Sequence, residues 1–103
     1  MKQVISVGEL KQLLLTGKPD LKVIDVRFPE EFHKQHLAFA ENLPASELGN
    51  AKEKGFELTD TIVCVCNKGH ERSQRAADKL IEMGYQKVSY LEGGMVEWFE
   101  KAE

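Results

Sequence analysis

The sequence has 103 residues, a formal net charge of −3, and 42% hydrophobic against 30% charged residues. This length leaves room for one domain, which we expect to span residues 1–103, and the composition is that of an ordinary folded protein. The acidic balance argues against nucleic acid or an anionic membrane as a partner, because both favour a basic surface. No apolar run approaches the roughly 20 residues of a membrane span, and the first residues lack the unbroken apolar region of a signal peptide. We therefore expect a small cytoplasmic protein.

The first half of the chain alternates short β-type segments with helical ones. Gln3–Ser6 predicts a strand. Ser6 and Glu9 then have the spacing of a capping box, which opens a helix that Gly17 ends. The segments that follow predict, in chain order, a strand, a short helix, a short strand and a weak helix: Leu21–Val26, the segment from Pro29, Ala40–Leu43 and Ser46–Lys54.

Thr61–Cys66 is the strongest predicted strand of the chain. It is apolar without alternation, which is typical of a central parallel strand covered on both faces. A helix, a strand and a final helix carrying the expected core residues Trp98 and Phe99 follow it: Ser73–Met83, Val88–Leu91 and Met95–Lys101. The alternation predicts an α/β domain with a mostly parallel sheet, whose ligands bind at the carboxyl ends of the strands.

The loop after Cys66 combines a cysteine at the end of a buried strand with a glycine-containing turn and the start of a helix. Loop amides and a helix N-terminus favour negative charge, and Lys68 and Arg72 add formal positive charge. Residues 66–79 contain four bases and two acids, so this segment is +2 in a protein of net charge −3. Both effects stabilise a thiolate, the nucleophilic form of cysteine. The sequence therefore predicts an anion site at a reactive Cys66.

The residues of this loop are the candidate substrate-binding residues, with the first two expected at the mouth of the site: Asn67, Lys68, Gly69, His70, Glu71, Arg72 and Ser73. His70 has three open roles: tuning the pKa of Cys66, contacting substrate, or remaining solvated. Asp25 and Arg27 follow the second strand and are candidate supporting residues. For Arg27 we expect an ion pair with Glu30 or Glu31.

The second cysteine, Cys64, is expected to pack in the core. A disulfide framework needs distant partners, so both thiols are expected to be free and the compartment to be reducing. Cys64, Cys66 and His70 form a poor metal site, because the sequence offers no fourth ligand nearby. We expect no metal and no cofactor.

Three segments in order resemble the rhodanese family: residues 23–44, the Cys66 loop with its helix, and residues 84–98. The resemblance covers nearly the whole chain. It implies a rhodanese-like three-layer α/β fold, with a central five-stranded, mostly parallel sheet and helices on both faces. It also implies a sulfurtransferase in which a Cys66 persulfide carries sulfur from thiosulfate or a related anion to cyanide or a thiol, such as glutathione or a thioredoxin-like protein.

The length of the loop leaves other functions open. Five residues separate Cys66 from Arg72, where the family's sulfurtransferases usually have four; this longer loop resembles that of rhodanese-fold phosphatases and arsenate reductases. Against that interpretation, Val65 stands where those enzymes carry histidine. The positions of Gly69 and Ser73 instead resemble small bacterial sulfurtransferases. Sulfur transfer, oxyanion chemistry, and a non-catalytic carrier or interaction domain all remain as hypotheses.

Overall fold

A five-stranded parallel sheet forms the centre of the structure, a computed structural model that describes residues 3–101, apart from the side chain of Lys101. The two ends of the expected domain therefore lie outside the described residues. The strands are β1 (Gln3–Ile5), β2 (Leu21–Asp25), β3 (Ala40–Asn42), β4 (Thr61–Val65) and β5 (Lys87–Leu91). Their order in the sheet is β1-β5-β4-β2-β3, and every neighbouring pair is parallel.

Helices cover both faces of this sheet. They are α1 (Val7–Thr16), α2 (Pro29–Lys34), a 3₁₀ helix (Ala45–Asn50), α3 (Glu71–Glu82) and α4 (Gly94–Lys101). One hydrophobic cluster joins the sheet to α3 and the 3₁₀ helix, and a second joins the opposite face to α1 and α4. The three-layer α/β architecture predicted from the sequence is thereby confirmed.

The central strand β4 contributes to both clusters. Ile62 and Cys64 face α3, whereas Val63 and Val65 face α1 and α4, and all four are fully buried. Because side chains alternate along a strand, burial on both faces requires an unbroken apolar run. This explains why the strand was recognisable without an alternating pattern.

The start of α1 follows its sequence signature. Ser6 Oγ accepts a hydrogen bond from the Glu9 amide at 3.0 Å, and Glu9 Oε1 accepts one from the Ser6 amide at 2.8 Å. Gly17 ends the helix in the left-handed conformation, with φ 66°. Two amides that the helix leaves unpaired are thus satisfied, and the chain is turned back toward β2.

The structure corrects two predicted helices. Where the sequence predicts a helix over Ser46–Lys54, the chain forms a 3₁₀ helix over Ala45–Asn50 followed by turns; Gly49 and Asn50 are poor helix formers. The helix predicted to begin at Ser73 begins two residues earlier, at Glu71, whose carboxylate suits a first helical turn.

The prediction that Phe99 packs in the core is wrong. Phe99 is 44% exposed, while Trp98 packs edge-on against Phe39 with ring centroids 5.3 Å apart. Consecutive residues of a helix point about 100° apart, so a helix with one buried face cannot bury both rings fully. In the part of the chain that the structure describes, no helix has the length and apolar character needed to cross a bilayer.

Candidate active site

The carboxyl end of β4 opens into a surface depression of about 580 Å³. Cys66 follows β4 directly, and α3 begins five residues later. The depression is lined by Cys66, Asn67, Lys68, His70, Glu71 and Arg72. The structure therefore brings most of the sequence-predicted site residues together, while Gly69 and Ser73 lie beneath the surface around the sulfur atom.

The start of α4 orients the first peptide groups of the loop. The Met95 amide donates to the Cys66 carbonyl oxygen at 3.0 Å, and the Val96 amide donates to the Asn67 carbonyl oxygen at 2.9 Å. In a planar trans peptide the N–H group points opposite to the carbonyl group. The amides of Asn67 and Lys68 therefore point away from α4.

Glycines on both sides allow this loop to lie in direct contact with the turn between β5 and α4. Gly69 has φ 71°, and a Cβ there would lie 2.5 Å from the Leu91 carbonyl oxygen and 2.7 Å from the Gly93 nitrogen. A Cβ at Gly94 would overlap the Cys66 carbonyl group. The sequence analysis gave the two glycines after β5 no role in the site. Two adjacent glycines directly after a strand, at the edge of the sheet where ligands bind, could have indicated such a close backbone contact.

The thiol of Cys66 lies at the centre of this arrangement and is 3% exposed. Its sulfur is 3.3 Å from the Ser73 hydroxyl oxygen. Burial alone would raise the pKa of Cys66, but the Ser73 hydroxyl and the amides of Ser73, Gly69 and His70 outweigh burial and hold this pKa below its ordinary value. These groups therefore favour the negatively charged form of the Cys66 sulfur.

The other cysteine has the opposite environment. Cys64 is fully buried in the cluster beneath α3, and burial raises the pKa of its thiol well above the ordinary range. Both cysteines are free, and the prediction that Cys64 is a core residue is confirmed. Within residues 3–101, no three His, Cys, Asp or Glu side chains are grouped closely enough to bind a metal ion.

Arg72 pairs with Glu31, which the sequence analysis gave as a possible partner of Arg27. Its Nη1 atom lies 2.8 Å from Glu31 Oε1 and its Nη2 atom 3.3 Å from Glu31 Oε2. Glu31 Oε1 also accepts the Phe28 amide at 3.0 Å. The hydrogen bond from Arg72 is the main reason that the pKa of Glu31 is below its usual range, and the pair raises the pKa of Arg72. Glu31 thus lies at the rim of the site.

Arg27 pairs with Asp25, so the expected pair with Glu30 or Glu31 is wrong. The Asp25 carboxylate accepts from the Arg27 amide at 3.0 Å, from Nε at 2.9 Å and from Nη2 at 2.7 Å. Asp25 lies two residues upstream, a spacing from which a carboxylate can bond both the backbone amide and the side chain of Arg27. Both groups are buried, so the charge of each is balanced by the other, and removing either would leave an uncompensated buried charge.

The buried pair also contacts the loop that follows Cys66. Arg27 Nη1 donates to Asn67 Oδ1 at 3.1 Å, and Nη2 donates to the Gln35 carbonyl oxygen at 2.6 Å. Because the oxygen of the Asn67 amide is engaged by Arg27, its Nδ2 group is left to donate elsewhere, and Asn67 lines the depression. Asp25 and Arg27 are therefore connected to the depression through the Asn67 side chain.

The remaining charged residues lie further out. Lys68 and His70 are exposed at the mouth. Arg75 forms an exposed ion pair with Glu71 at 3.3 Å, one turn apart on α3. Most of the electrostatic stabilisation at the sulfur consequently comes from the backbone amides and the Ser73 hydroxyl.

A second depression, of about 420 Å³, lies at the opposite edge of the sheet, where β1, β4 and β5 begin. It is lined by Gln3, Val4, Ile5, Glu9, Gln12, Leu13, Thr61, Gln86, Lys87, Val88 and Ser89. None of these residues is a cysteine or a histidine, and the edge is not the one where parallel sheets bind ligands. The depression at Cys66 is therefore the candidate active site.

Comparison with known proteins agrees with this geometry. Residues 6–101 match the family model described as "Rhodanese-like domain". The chain is 32% identical over 95 residues to thiosulfate sulfurtransferase GlpE of Pseudoalteromonas translucida, covering 91% of this chain and 86% of that protein. It is 34% identical over 101 residues to "Putative sulfur carrier protein YrkF" of Bacillus subtilis, covering 96% of this chain and about half (52%) of that protein.

Solved structures show the same architecture. A thiosulfate sulfurtransferase from Pseudomonas aeruginosa superposes with a TM-score of 0.85 at 28% sequence identity, over 95% of this chain and 18% of that one. The strand order, the position of Cys66 after the central strand and the family match over nearly the whole chain lead to the same conclusion. The chain belongs to the rhodanese-like domain family.

Proposed function

We propose that this protein is a sulfurtransferase in which Cys66 accepts sulfane sulfur from thiosulfate or a related anion and passes it to a thiol. The observation that carries the proposal is the Cys66 sulfur enclosed by the Ser73 hydroxyl and three amides, with its pKa lowered despite burial. The sulfurtransferase relatives support it at the level of the family.

In the first step, the Cys66 thiolate attacks the outer sulfur of thiosulfate. A new S–S bond forms, the original S–S bond breaks, and sulfite leaves with its electron pair. The product is a Cys66 persulfide whose terminal sulfur carries the charge that the thiolate brought. Backbone amides directed at that charge stabilise the transition state, in the manner of an oxyanion hole.

In the second step, the thiolate of an acceptor attacks the terminal sulfur of the persulfide. The acceptor leaves as a persulfide anion, and Cys66 returns as a thiolate. This two-step exchange is covalent catalysis with ping-pong kinetics. Glutathione or a thioredoxin-like protein would serve as the acceptor, and a reducing compartment such as the cytoplasm would keep both free thiols available.

The other residues have supporting roles in this proposal. Lys68 and the Nδ2 group of Asn67 would bind the sulfonate oxygens of the donor at the mouth of the depression. Asp25 and Arg27 would position Asn67 through the hydrogen bond between Arg27 and the Asn67 side chain. Residues 1–103 would act as one domain, without a cofactor.

Intact-protein mass spectrometry after incubation with thiosulfate tests the proposal. We expect the mass to rise by one sulfur atom and to return on treatment with cyanide. The adduct should form in Cys64→Ala and fail to form in Cys66→Ser. An unmodified wild-type protein, or an adduct that survives the Cys66→Ser change, would refute the role of Cys66.

A sulfur carrier without turnover of its own is the second candidate, favoured by the similarity to YrkF of B. subtilis. A carrier would form the Cys66 persulfide and release sulfur to small thiols no faster than a free persulfide does. An enzyme would give steady thiocyanate production with thiosulfate and cyanide. Oxyanion chemistry is less favoured, because Glu31 occupies both terminal nitrogens of Arg72.

A further inference from the structure

The charges around the depression are largely matched within the protein. Arg72 is paired end-on with Glu31, and Glu71 is paired with Arg75. The mouth therefore carries little net charge apart from Lys68, even though the segment 66–79 is +2 in sequence. A seven-residue loop ending in arginine would attract a doubly charged anion if that arginine were unpaired.

We propose that Glu31 is a specificity-determining residue that cancels the charge of Arg72 and so makes the site prefer singly charged sulfane donors over dianions. The inference rests on the proposed function and adds to it the charge class of the donor. The donors it favours are thiosulfonates and the persulfides of carriers that are otherwise neutral at the reacting end. Thiosulfate, a dianion, is a weaker donor in this scheme.

Hydrogen bonds from two directions fix the position of the Glu31 carboxylate. Its Oε1 atom accepts the Phe28 amide at the start of α2, so the carboxylate is fixed by the helix as well as by Arg72. Arg72 lines the depression, and its two terminal nitrogens face Glu31. A dianion that approaches the sulfur therefore meets an arginine whose charge is already balanced. The ionised state of the pair at neutral pH is consistent with the lowered pKa of Glu31.

Two donors that react in the same way but differ by one charge reveal the effect of Glu31 on donor preference. Any change that affects sulfur transfer itself acts on both donors alike. With thiosulfate, the Cys66 thiolate takes the outer sulfur and sulfite leaves. With methanethiosulfonate, it takes the same kind of sulfur and methanesulfinate leaves. In both reactions one S–S bond forms and one breaks, and the leaving group takes the electron pair. The donors differ in that a methyl group replaces one charged oxygen.

The test is the ratio of kcat/KM for thiosulfate to kcat/KM for methanethiosulfonate. We expect Glu31→Gln to raise this ratio by about twofold to fivefold, the range for one partly exposed charge acting on an added negative charge. The glutamine can still accept the Phe28 amide, so α2 keeps its cap. Glu30→Gln removes the same charge from the same helix without touching Arg72 and should leave the ratio within about 1.5-fold of wild type.

A charge-restoring variant distinguishes electrostatics from a structural role. Arg72→Gln leaves Glu31 unbalanced and should lower the ratio. Combining Arg72→Gln with Glu31→Gln removes both charges and should return the ratio toward the wild-type value. If the pair were merely structural, each variant would lose activity toward both donors alike, and the ratio would stay at the wild-type value in all three.

Three results would overturn the inference: an unchanged ratio in Glu31→Gln, an equal change in Glu30→Gln, or a double variant no closer to wild type than its parents. These are distinct from failure of the proposed function. If wild-type Cys66 takes sulfur from neither donor, the sulfurtransferase proposal itself falls. If it takes sulfur and the ratio does not respond to Glu31, the donor-charge inference alone is rejected.

Discussion

Gly94 lies so close to Cys66 that a side-chain carbon at position 94 would overlap the Cys66 carbonyl group. This contact allows the first amides of α4 to bond the Cys66 and Asn67 carbonyl oxygens. The carbonyl groups are thereby turned toward α4, and the amides that follow them point away from it. A backbone contact remote in sequence thus fixes the orientation of the first peptide groups after Cys66.

Gly94→Ala should disrupt this contact. We expect it to lower the free energy of unfolding by about 2 kcal/mol or more and to raise the pKa of Cys66, since backbone groups rather than a flexible side chain must move. Gly17→Ala is the matched control, because Gly17 has a similar φ of 66° with no atom within 4 Å of a Cβ. Urea denaturation and thiol titration measure the two effects. Equal losses in both variants would show that strain at positive φ, rather than the collision with Cys66, is responsible.

Ser73→Ala should reduce the reactivity of Cys66. The Ser73 hydroxyl lies 3.3 Å from the sulfur and is the largest of the interactions that lower its pKa. We expect the pKa to rise and the rate of alkylation by iodoacetamide at pH 7 to fall by roughly an order of magnitude, the value of a hydrogen bond to a charged group. Ser89→Ala, which removes a hydroxyl on β5 that bonds the Ile62 carbonyl oxygen, should leave the rate unchanged. An unchanged alkylation rate in Ser73→Ala would mean that the backbone amides alone lower the pKa of Cys66.

The ionisation of Cys66 should also appear in the stability of the protein. Because its folded pKa is lowered, the stabilisation is absent below the folded pKa, grows with pH above it, and is complete above the unfolded pKa of about 8.5. The free energy of unfolding of wild type minus that of Cys66→Ser should therefore increase as pH rises toward about 8.5. Cys64 is present in both proteins, so the effect of its burial, which is the main cause of its raised pKa, cancels. A difference that falls or stays flat with pH would contradict a lowered pKa.

Asp25→Asn should be strongly destabilising. It leaves the buried guanidinium of Arg27 without its carboxylate, which costs about 3–5 kcal/mol when one member of a buried pair is removed. Lys87→Gln provides the comparison, because Lys87 and Asp20 form a partly exposed pair at 3.7 Å worth less than about 1 kcal/mol. Urea denaturation measures both. Similar losses in the two variants would mean that water reaches Arg27 and replaces the carboxylate.

Local patterns in the sequence were sufficient to predict the order of strands and helices, the α1 capping box, the burial of β4 and the position of Cys66 at the end of that strand. Each depends on residues within one or two turns of each other, where periodicity and capping chemistry decide the conformation. The concentration of Lys68 and Arg72 after Cys66 was likewise visible as charge in a short segment.

The partners of the charged groups were decided by tertiary structure. Arg27 had several carboxylates within a few residues, and burial at the end of β2 selected Asp25. Arg72 lies 41 residues from Glu31 in sequence, and their contact exists because α2 and the start of α3 meet at one edge of the sheet. Residue type determines which pairs are chemically possible, but distance and burial, which only packing sets, determine which pair forms.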